Sequence, residues 1–428
     1  MKRLLMIAYH FPPLAGSSGI QRSLRFAQQL PSHGWQPAVL SVNTRAYEQT
    51  GADLLAELPA DLEVVRAFAL DASRHLAIAG RYPGWLARPD RWLSWLLGAV
   101  PAGLAMIRRH RPAAIWSTYP IASAHLLGHS LARLSGLPWV ADFRDPMAHE
   151  GYPADARTWQ SYLSVEKKVF SRASRAVFST PGAAHLYRQR YPVQAERIRV
   201  IENGYDEDAF RRAAEQPHGA ALNPGSLTLL HSGIVYPEWR NPSGLFEALQ
   251  RLLSAGAIRP QTLRLRFRAP VHDRWLADLA ERHGLGFMVE ILPPLPYIEA
   301  LTEMLAADAL LALQSADCND QVPAKVYEYL RARKAILGLT DPQGDTAGLL
   351  RAAAMGPVCA LEAPAERIAE ALLALLAELN NGASPVVNDR LIGAASREAR
   401  TAALAGLLNE VTAAADSPRS LNSNPSKP

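Results

Sequence analysis

The segment from Asp320 to Leu330, DQVPAKVYEYL, combines charged side chains at a spacing that suits ligand binding. Pro323 suits the first turn of a helix, so Asp320 should lie in the loop before it. Lys325 falls at the helix start, where an anion would relieve its repulsion by the helix dipole. Glu328, about 1.5 turns into a largely apolar helix, needs a hydrogen-bonding partner such as a ribose diol. The alternative is a buried structural pair between Lys325 and Glu328.

A second candidate group follows a short apolar run at Leu227–Ser232. Gly233 comes directly after this predicted strand, and Arg240 lies just before the next predicted helix. An arginine can bind a diphosphate with two parallel hydrogen bonds. Gly233 and Arg240 are therefore candidates for anion binding, although Arg240 as a solvated surface residue is the alternative.

A third group is the glycine- and serine-rich loop PPLAGSSG that follows the first predicted strand. Gly16 and Gly19 would let backbone N–H groups approach an anion before a helix, and Arg22 lies one turn into that helix. An ordinary strand-to-helix turn is the alternative. The loop lacks the GxGxxG pattern, which argues against a dinucleotide-dependent dehydrogenase.

The fourth group is the run of charges at the end of the predicted strand Trp139–Asp142. Asp142, Arg144 and Asp145 are costly at the mouth of a buried strand unless they pair or bind a ligand. They are candidates for sugar or acceptor contacts together with Arg22. A structural arginine–aspartate pair is the alternative.

These four groups all follow short apolar runs that alternate with helical patterns, which predicts an α/β fold with parallel sheets. Ligands bind at the carboxyl ends of the strands in such sheets. The predicted strands are 4–9, 38–42, 62–66, 114–117, 139–142 and 176–179, then 227–232, 263–267, 288–291, 309–313 and 335–339.

The length of 428 residues favours two domains. A stretch rich in proline and glycine between the two series of strands marks their boundary. We expect an N-terminal Rossmann-like domain at 1–214 and a C-terminal one at 226–395. An amphipathic helix at 396–414 and a disordered tail at 415–428 should follow.

Composition narrows the class of protein. The hydrophobic fraction is 49% and the net charge is +5, which fits a globular protein that binds phosphate-rich small molecules or an anionic surface. No basic stripe with interleaved aromatic residues is present, so nucleic acid is not an expected partner.

Cys318 and Cys359 have no metal-site spacing, and a reducing cytoplasm is the expected location. No apolar run approaches the ~20 residues that span a bilayer.

A segment rich in tryptophan, leucine and arginine runs from Trp85 to Leu97, and Arg108, Arg109 and Arg111 follow. Such a segment could rest at the inner face of the cytoplasmic membrane and receive a lipid-linked acceptor. The alternative is an ordinary buried helix with exposed arginines.

With these motifs together, the sequence resembles the GT-B glycosyltransferases, in particular the retaining enzymes of family 4. The segments that carry the resemblance occur in the family's order over nearly the whole chain: YHFPPLAGSSGIQR, ADFRDP, VIENGYD, HSGIVYP and VPAKVYEYL. The resemblance implies two Rossmann-like domains that face each other across a cleft. It also implies a C-terminal helix that crosses back to the first domain.

The resemblance further implies roles for residues in the C-terminal domain. The family's acidic pair falls on Asp320 and Glu328: the first, usually a glutamate, would lie near the donor sugar, and the second would hold the ribose. The usual arginine position is Ile234, so Arg240 and Lys325 would neutralise the diphosphate. Catalysis would then rest on Arg240, Lys325 and Asp320.

Two positions in the first domain enter by the same resemblance. Arg144 stands where many relatives have a histidine that contacts the donor sugar. Asn203–Asp206 matches a turn that is mostly structural in the family.

The implied activity is hexosyl transfer with retention from a nucleotide sugar to a glycan or lipid-linked acceptor, in polysaccharide or lipopolysaccharide biosynthesis. No cofactor and no metal is expected. Two alternatives are a nucleotide-sugar epimerase on the same scaffold and a catalytically silent protein that binds a nucleotide sugar.

Overall fold

The computed structural model describes residues 1–15, 19–52, 54–216, 221–382 and 387–416. The chain divides into two compact units. The first contains residues 1–179 and 183–202 and also the C-terminal residues from Arg400 on, and the second contains residues 180–182 and 203–399.

The first unit is built on a parallel sheet of seven strands in the order β3-β2-β1-β4-β5-β6-β7. The strands are β1 (Lys2–Ile7), β2 (Trp35–Val42), β3 (Val64–Ala67), β4 (Ala114–Thr118), β5 (Trp139–Arg144), β6 (Arg175–Phe178) and β7 (Ile198–Val200). The helices that connect them are α1 (Gly19–Gln29), α2 (Ala72–His75), α3 (Trp95–His110), α4 (Ala122–Ser135), α5 (Ala156–Arg172) and α6 (Pro181–Arg190). Strands such as β4 are buried along their whole length, as expected for a sheet covered on both faces.

The second unit is built on a parallel sheet of six strands in the order β10-β9-β8-β11-β12-β13. Its strands are β8 (Leu227–Ser232), β9 (Leu263–Arg268), β10 (Val289–Leu292), β11 (Ala309–Leu313), β12 (Ala335–Leu339) and β13 (Val358–Cys359). Its helices are α7 (Glu207–Ala214), α8 (Ser243–Ser254), α9 (Asp273–Arg282), α10 (Tyr297–Ala306), α11 (Ala324–Ala332), α12 (Asp345–Ala352), α13 (Ala365–Asn380) and α14 (Asp389–Ala394). The direction of winding reverses between β8 and β11, which is the place where ligands bind in parallel sheets of this kind.

The final helix, α15 (Arg397–Asp416), returns to the first unit from Arg400 on. Leu404, Leu408 and Val411 are buried there in one apolar cluster with residues of the first sheet, including Leu4 and Trp35. The predicted α/β fold class is confirmed by the two parallel sheets, and the C-terminal helix returns to the first unit as expected.

The change from one unit to the other comes earlier than the sequence predicts. Residues 203–214, which we expected in the first domain, belong to the second unit. The reason is that α7 buries Ala209 and Phe210 in the same cluster as Leu301 and Met304 of α10. Residues 415 and 416 end α15, and the rest of the predicted disordered tail lies outside the described residues.

Candidate functional site

The candidate site in the second unit begins with His231, at the carboxyl end of β8. The imidazole is fully buried, and its Nδ1 lies 2.8 Å from the carbonyl oxygen of Leu311 on the neighbouring strand. Since a carbonyl oxygen accepts, Nδ1 carries the proton and Nε2 is left as an acceptor. Burial, followed by the charge of Lys325, holds the pKa of His231 well below its usual value, so the ring stays neutral.

Lys325 occupies the first turn of α11 and uses this acceptor. Its Nζ donates to Nε2 of His231 across 3.0 Å. Gly233 has a φ of +105°, and a Cβ there would come within 3.0 Å of the same Nζ. The backbone conformation therefore favours glycine at 233, and the end of the Lys325 side chain lies directly over it.

Arg240 supplies the second positive charge of the site. Its Nη1 donates to the carbonyl oxygen of Ile234 across 2.8 Å, and its guanidinium lies 5.2 Å from the centre of the Tyr236 ring. These contacts hold the side chain in the turn after β8, although neither neutralises its charge.

The charges of Lys325 and Arg240 are not balanced by an ion pair among the described residues. Burial, followed by the charge of Arg240, lowers the pKa of Lys325 well below its usual value, while Glu328 partly offsets this effect. Burial also lowers the pKa of Arg240. The crevice beside β8 therefore favours an anion.

Glu328 lies one turn after Lys325 on α11, and Oε1 accepts a hydrogen bond of 2.8 Å from the hydroxyl of Tyr297. Burial raises the pKa of Glu328, against the opposing effects of Arg397 and the Tyr297 hydrogen bond. The structure thus places Lys325 and Glu328 on one face of the helix, as residues three apart must be. The hydrogen bond of Glu328 goes to Tyr297, and that of Lys325 goes to His231.

The turn at Asn203–Asp206 supports this corner of the site. Gly204 packs so closely on the returning chain that a Cβ would lie 2.5 Å from the carbonyl oxygen of Ala395. Arg397 donates to the carbonyl oxygen of Gly204 across 3.0 Å and lies 3.5 Å from the carboxylate of Asp206. Asp206 also caps α7. The turn therefore holds Arg397 in place, and the charge of Arg397 acts on Glu328.

Asp320 lies in the loop before α11, as predicted, and Pro323 is the residue that precedes the helix. The loop is fixed by Gln314, whose amide donates to the carbonyl oxygens of Cys318 and Gln321. Asp320 therefore lies between the two residues whose carbonyl oxygens Gln314 holds, directly before α11.

In the first unit the structure brings the predicted site residues Arg22 and Asp142 together as an ion pair. Nε and Nη2 of Arg22 donate to the two carboxylate oxygens of Asp142 across 2.8 and 3.2 Å. The guanidinium also donates to the carbonyl oxygens of Ile201 and Glu202 across 2.9 and 3.0 Å. Both side chains are buried, and their hydrogen-bonding groups are used within the protein. They form a buried arginine–aspartate pair, and their contact with a sugar or acceptor stays a prediction.

Arg144 and Asp145 lie at the end of β5, apart from this pair. Asp145 accepts a hydrogen bond of 3.3 Å from the Ser179 hydroxyl, and burial raises its pKa. Arg144 is partly exposed and donates one long hydrogen bond of 3.4 Å to the carbonyl oxygen of Tyr119.

Of the glycines predicted to bind an anion in the first unit, Gly19 begins α1, and Gly16 lies outside the described residues.

The sequence analysis missed Tyr297 and Arg397, and it gave no role to His231, which lies in the HSGIVYP segment. Their roles depend on neighbours far away along the chain. One signal for His231 was available, since a histidine within an otherwise apolar central strand requires a hydrogen-bonding partner.

Comparison with known proteins finds a likeness to glycosyltransferases in the first part of the chain. Residues 18–204 match the model of the glycosyl transferase 4-like domain. A D-inositol 3-phosphate glycosyltransferase from Streptosporangium roseum is 27% identical over 189 residues, which cover 40% of this chain and 43% of that protein. The match thus spans less than half of that curated relative.

Solved structures extend the likeness to the whole chain at the level of fold. Sucrose-phosphate synthase from Thermosynechococcus elongatus aligns with a TM-score of 0.66 at 16% identity, over 97% of this chain and 100% of its own. Anabaena HepE in complex with UDP aligns with a TM-score of 0.59 at 16% identity, over 97% and 98% of the two chains. WaaG, a glycosyltransferase involved in lipopolysaccharide biosynthesis, aligns with a TM-score of 0.56 at 16% identity, over 96% and 98%.

The described residues also bear on metal binding and on membrane spanning. Within these residues no group of three or more histidine, cysteine, aspartate or glutamate side chains is placed to hold a metal ion. None of the helices in the described ranges has the length and apolar character needed to cross a membrane.

Proposed function

We propose that this chain, a GT-B glycosyltransferase of the family-4-like type, transfers a sugar with retention from a nucleotide-sugar donor that its second unit binds. The observation that carries the proposal is the pair of cations beside Gly233. Lys325 and Arg240 are partly buried without an ion-pair partner among the described residues. A diphosphate supplies the negative charge that both side chains require.

Glu328 gives the same crevice a way to hold the nucleoside. A carboxylate accepts hydrogen bonds from two vicinal hydroxyls, and Tyr297 orients that of Glu328 through Oε1. Since Glu328 lies one turn beyond Lys325 on α11, a ribose bound by Glu328 would direct its phosphates toward Lys325. Asp320, in the loop before the helix, is then the carboxylate proposed to lie near the donor sugar.

The chemistry follows from where charge develops in the reaction. As the bond between the sugar and the diphosphate breaks, negative charge builds on the departing phosphate oxygen. Lys325 and Arg240 stabilise this charge, and the neutral His231 keeps the ammonium of Lys325 over Gly233. Because these cations neutralise the diphosphate, we propose that no metal ion is needed. Transfer rates should therefore be unchanged by EDTA.

The acceptor is proposed to be a growing glycan or a lipid-linked sugar in polysaccharide or lipopolysaccharide assembly. WaaG, which shares the fold, is described as acting in lipopolysaccharide biosynthesis. Anabaena HepE has been solved with UDP and with UDP-glucose, which makes uridine nucleotides the first donors to test.

The donor proposal is tested by incubating the protein with UDP-, GDP-, ADP- and dTDP-sugars and measuring thermal stabilisation and release of the nucleoside diphosphate. One nucleotide family should stabilise the wild type by about 2.7 kcal/mol at 100 times its dissociation constant. Glu328→Gln should weaken this effect. If no nucleotide family stabilises the protein, the proposal fails, and stabilisation without turnover on any acceptor would indicate a silent binding protein. The anomeric configuration of a product, read by NMR, tests retention.

Docking on an anionic membrane is the second part of the proposal, and the structure changes which residues carry it. Trp95 is fully buried and Trp92 packs on Tyr9, so these two tryptophans belong to the core. Ile78, Trp85 and Leu97 are instead exposed by 84%, 66% and 76%. The arginines near these residues in the sequence, Arg74, Arg81 and Arg88, would complement acidic headgroups.

Co-sedimentation with vesicles tests this surface. The wild type should bind vesicles that contain phosphatidylglycerol more than vesicles of phosphatidylcholine alone. Ile78→Ser with Trp85→Ser should reduce the bound fraction, because inserted apolar area contributes to interfacial binding. Val193→Ser is the matched control, since Val193 is 88% exposed in the same unit but far away in sequence. Equal loss in the control, or no lipid preference, would contradict docking at these residues.

A further inference from the structure

Arg144, at the end of β5, has an unusually constrained backbone. Its φ is +63°, and the pairing of β5 with β6 shifts register between Asp142 and Arg144. The carbonyl oxygen of Arg144 accepts hydrogen bonds from the backbone N–H and the hydroxyl of Ser179, across 2.7 and 2.9 Å. The backbone is thus tied to the segment after β6, and the origin of the side chain is fixed.

Although the backbone of Arg144 is fixed, its guanidinium has few hydrogen-bond partners. It donates one hydrogen bond of 3.4 Å, at the long end of the range, to the carbonyl oxygen of Tyr119. Its Nε is buried and has no hydrogen-bond partner among the described residues. A buried donor without a partner is costly, so a ligand atom that accepts from Nε would remove that cost.

The charge of Arg144 is also left without a close carboxylate. Asp142 is fully used by Arg22, and Asp145 accepts from Ser179. No carboxylate of the described residues lies within ion-pair distance of Arg144, although Asp145 and Asp142 act on it from farther away. The pKa of His10 is lowered to about 3 by burial and by the charge of Arg144, so this histidine adds no positive charge.

We infer that Arg144 binds an oxyanion, a carboxylate or a phosphate, carried by one of the two substrates. The oxyanion would accept from Nε and one terminal nitrogen in the parallel, two-bond arrangement that arginine favours. It belongs either to the transferred sugar, as the carboxylate of a uronic acid, or to the acceptor, as a phosphate. The assignment of the oxyanion to a donor sugar or to an acceptor rests on the proposed function, whereas the proposal of an oxyanion site at Arg144 does not.

The test is to observe the Nε–Hε NMR signal of Arg144 in arginine-labelled protein. Arg144→Gln assigns the signal by its disappearance, and it keeps side-chain length without the charge. Titration with inorganic phosphate and with free glucuronate should shift this signal and leave that of Arg157, an exposed arginine of the same unit, unchanged. Calorimetry on Arg144→Gln should show about tenfold weaker binding of the same anions, or about 1.4 kcal/mol. Absence of a shift with both anions overturns the inference.

Two further titrations distinguish the sources. If the nucleoside diphosphate linked to glucuronic acid shifts the Arg144 signal and the glucose analogue does not, the oxyanion is on the donor. If phosphate still shifts the signal when the donor site is saturated with nucleoside diphosphate, it is on the acceptor. Failure of the donor proposal would appear separately, as absence of binding by every nucleoside diphosphate while phosphate alone still moves the Arg144 signal.

Discussion

Each unit places positively charged side chains at the carboxyl ends of its parallel strands. The two units differ in how completely protein groups neutralise these charges. In the first unit, Arg22 has a bidentate carboxylate and two carbonyl oxygens. In the second, Lys325 has one neutral acceptor and Arg240 has one carbonyl oxygen. A cation that the protein neutralises stabilises the fold, and a cation that it leaves unneutralised is available for a ligand.

The largest effect that this comparison predicts is on stability. Asp142→Asn should destabilise the first unit by about 3–5 kcal/mol, because Arg22 would stay buried without its counter-charge. Urea unfolding followed by tryptophan fluorescence measures this, since most tryptophans lie in the first unit. Arg157→Gln, at an exposed arginine of the same unit, should leave the unfolding midpoint unchanged. A loss below about 1 kcal/mol for Asp142→Asn would mean that the pair is dispensable and open to a substrate role.

The next effect is on catalysis in the second unit. Lys325→Met should lower kcat/KM by about 10²–10³-fold, the range found when a group that stabilises transition-state charge is removed. Stability should not fall, since the substitution removes a partly buried charge that has no counter-ion. Lys167→Met, on the exposed face of α5, is the matched control. An unchanged kcat/KM in Lys325→Met would remove Lys325 from the active site.

A smaller effect is expected at His231, which acts through Lys325. His231→Phe should lower kcat/KM about tenfold, since the ammonium loses the acceptor that fixes its position. A double-mutant cycle separates this role from a general structural one. In a Lys325→Met background the same substitution should have no further effect. Additive losses in the cycle would show that His231 acts independently of Lys325.

The smallest effect is on the pH dependence of donor binding. The pKa of Lys325 is lowered in the free protein, and a bound diphosphate favours the protonated amine. Binding should therefore take up a proton and weaken as the pH rises from the lowered pKa toward 10.5. Without ligand, the same shift makes the free energy of unfolding rise with pH in this window, because the unfolded chain binds more protons. Calorimetry in two buffers of different ionisation enthalpy measures the uptake, and Lys325→Met should abolish it.

Much of the fold could be predicted from the sequence because apolar runs mark the central strands. The ranges predicted for β8, β11 and β12 agree with the structure, since each strand is largely buried and its apolar run ends clearly in the sequence. The short edge strands β7 and β13 were missed, because three and two residues give no pattern to detect. The unit boundary was misplaced since the apolar face of α7 does not reveal which unit it packs on.

The site could be predicted in part. Motif spacing places Lys325, Glu328 and Arg240 in the second unit, where the structure finds them beside β8 and on α11. The same signals, an arginine after a glycine loop and an aspartate after a strand, also made Arg22 and Asp142 candidates. Whether such residues satisfy each other depends on distances between segments more than 100 residues apart in the chain, which one sequence does not contain.

The most direct test of the central claim is to compare the affinities of nucleoside mono- and diphosphate for the wild type and for Lys325→Met by calorimetry. We expect the diphosphate to bind the wild type about 10–100-fold more tightly, because a charge-assisted hydrogen bond contributes about 1.5–3 kcal/mol. Lys325→Met should lose most of this preference while its affinity for the monophosphate is kept. A preference for the diphosphate that persists in Lys325→Met would contradict the claim that the unneutralised cations of the second unit form the donor site.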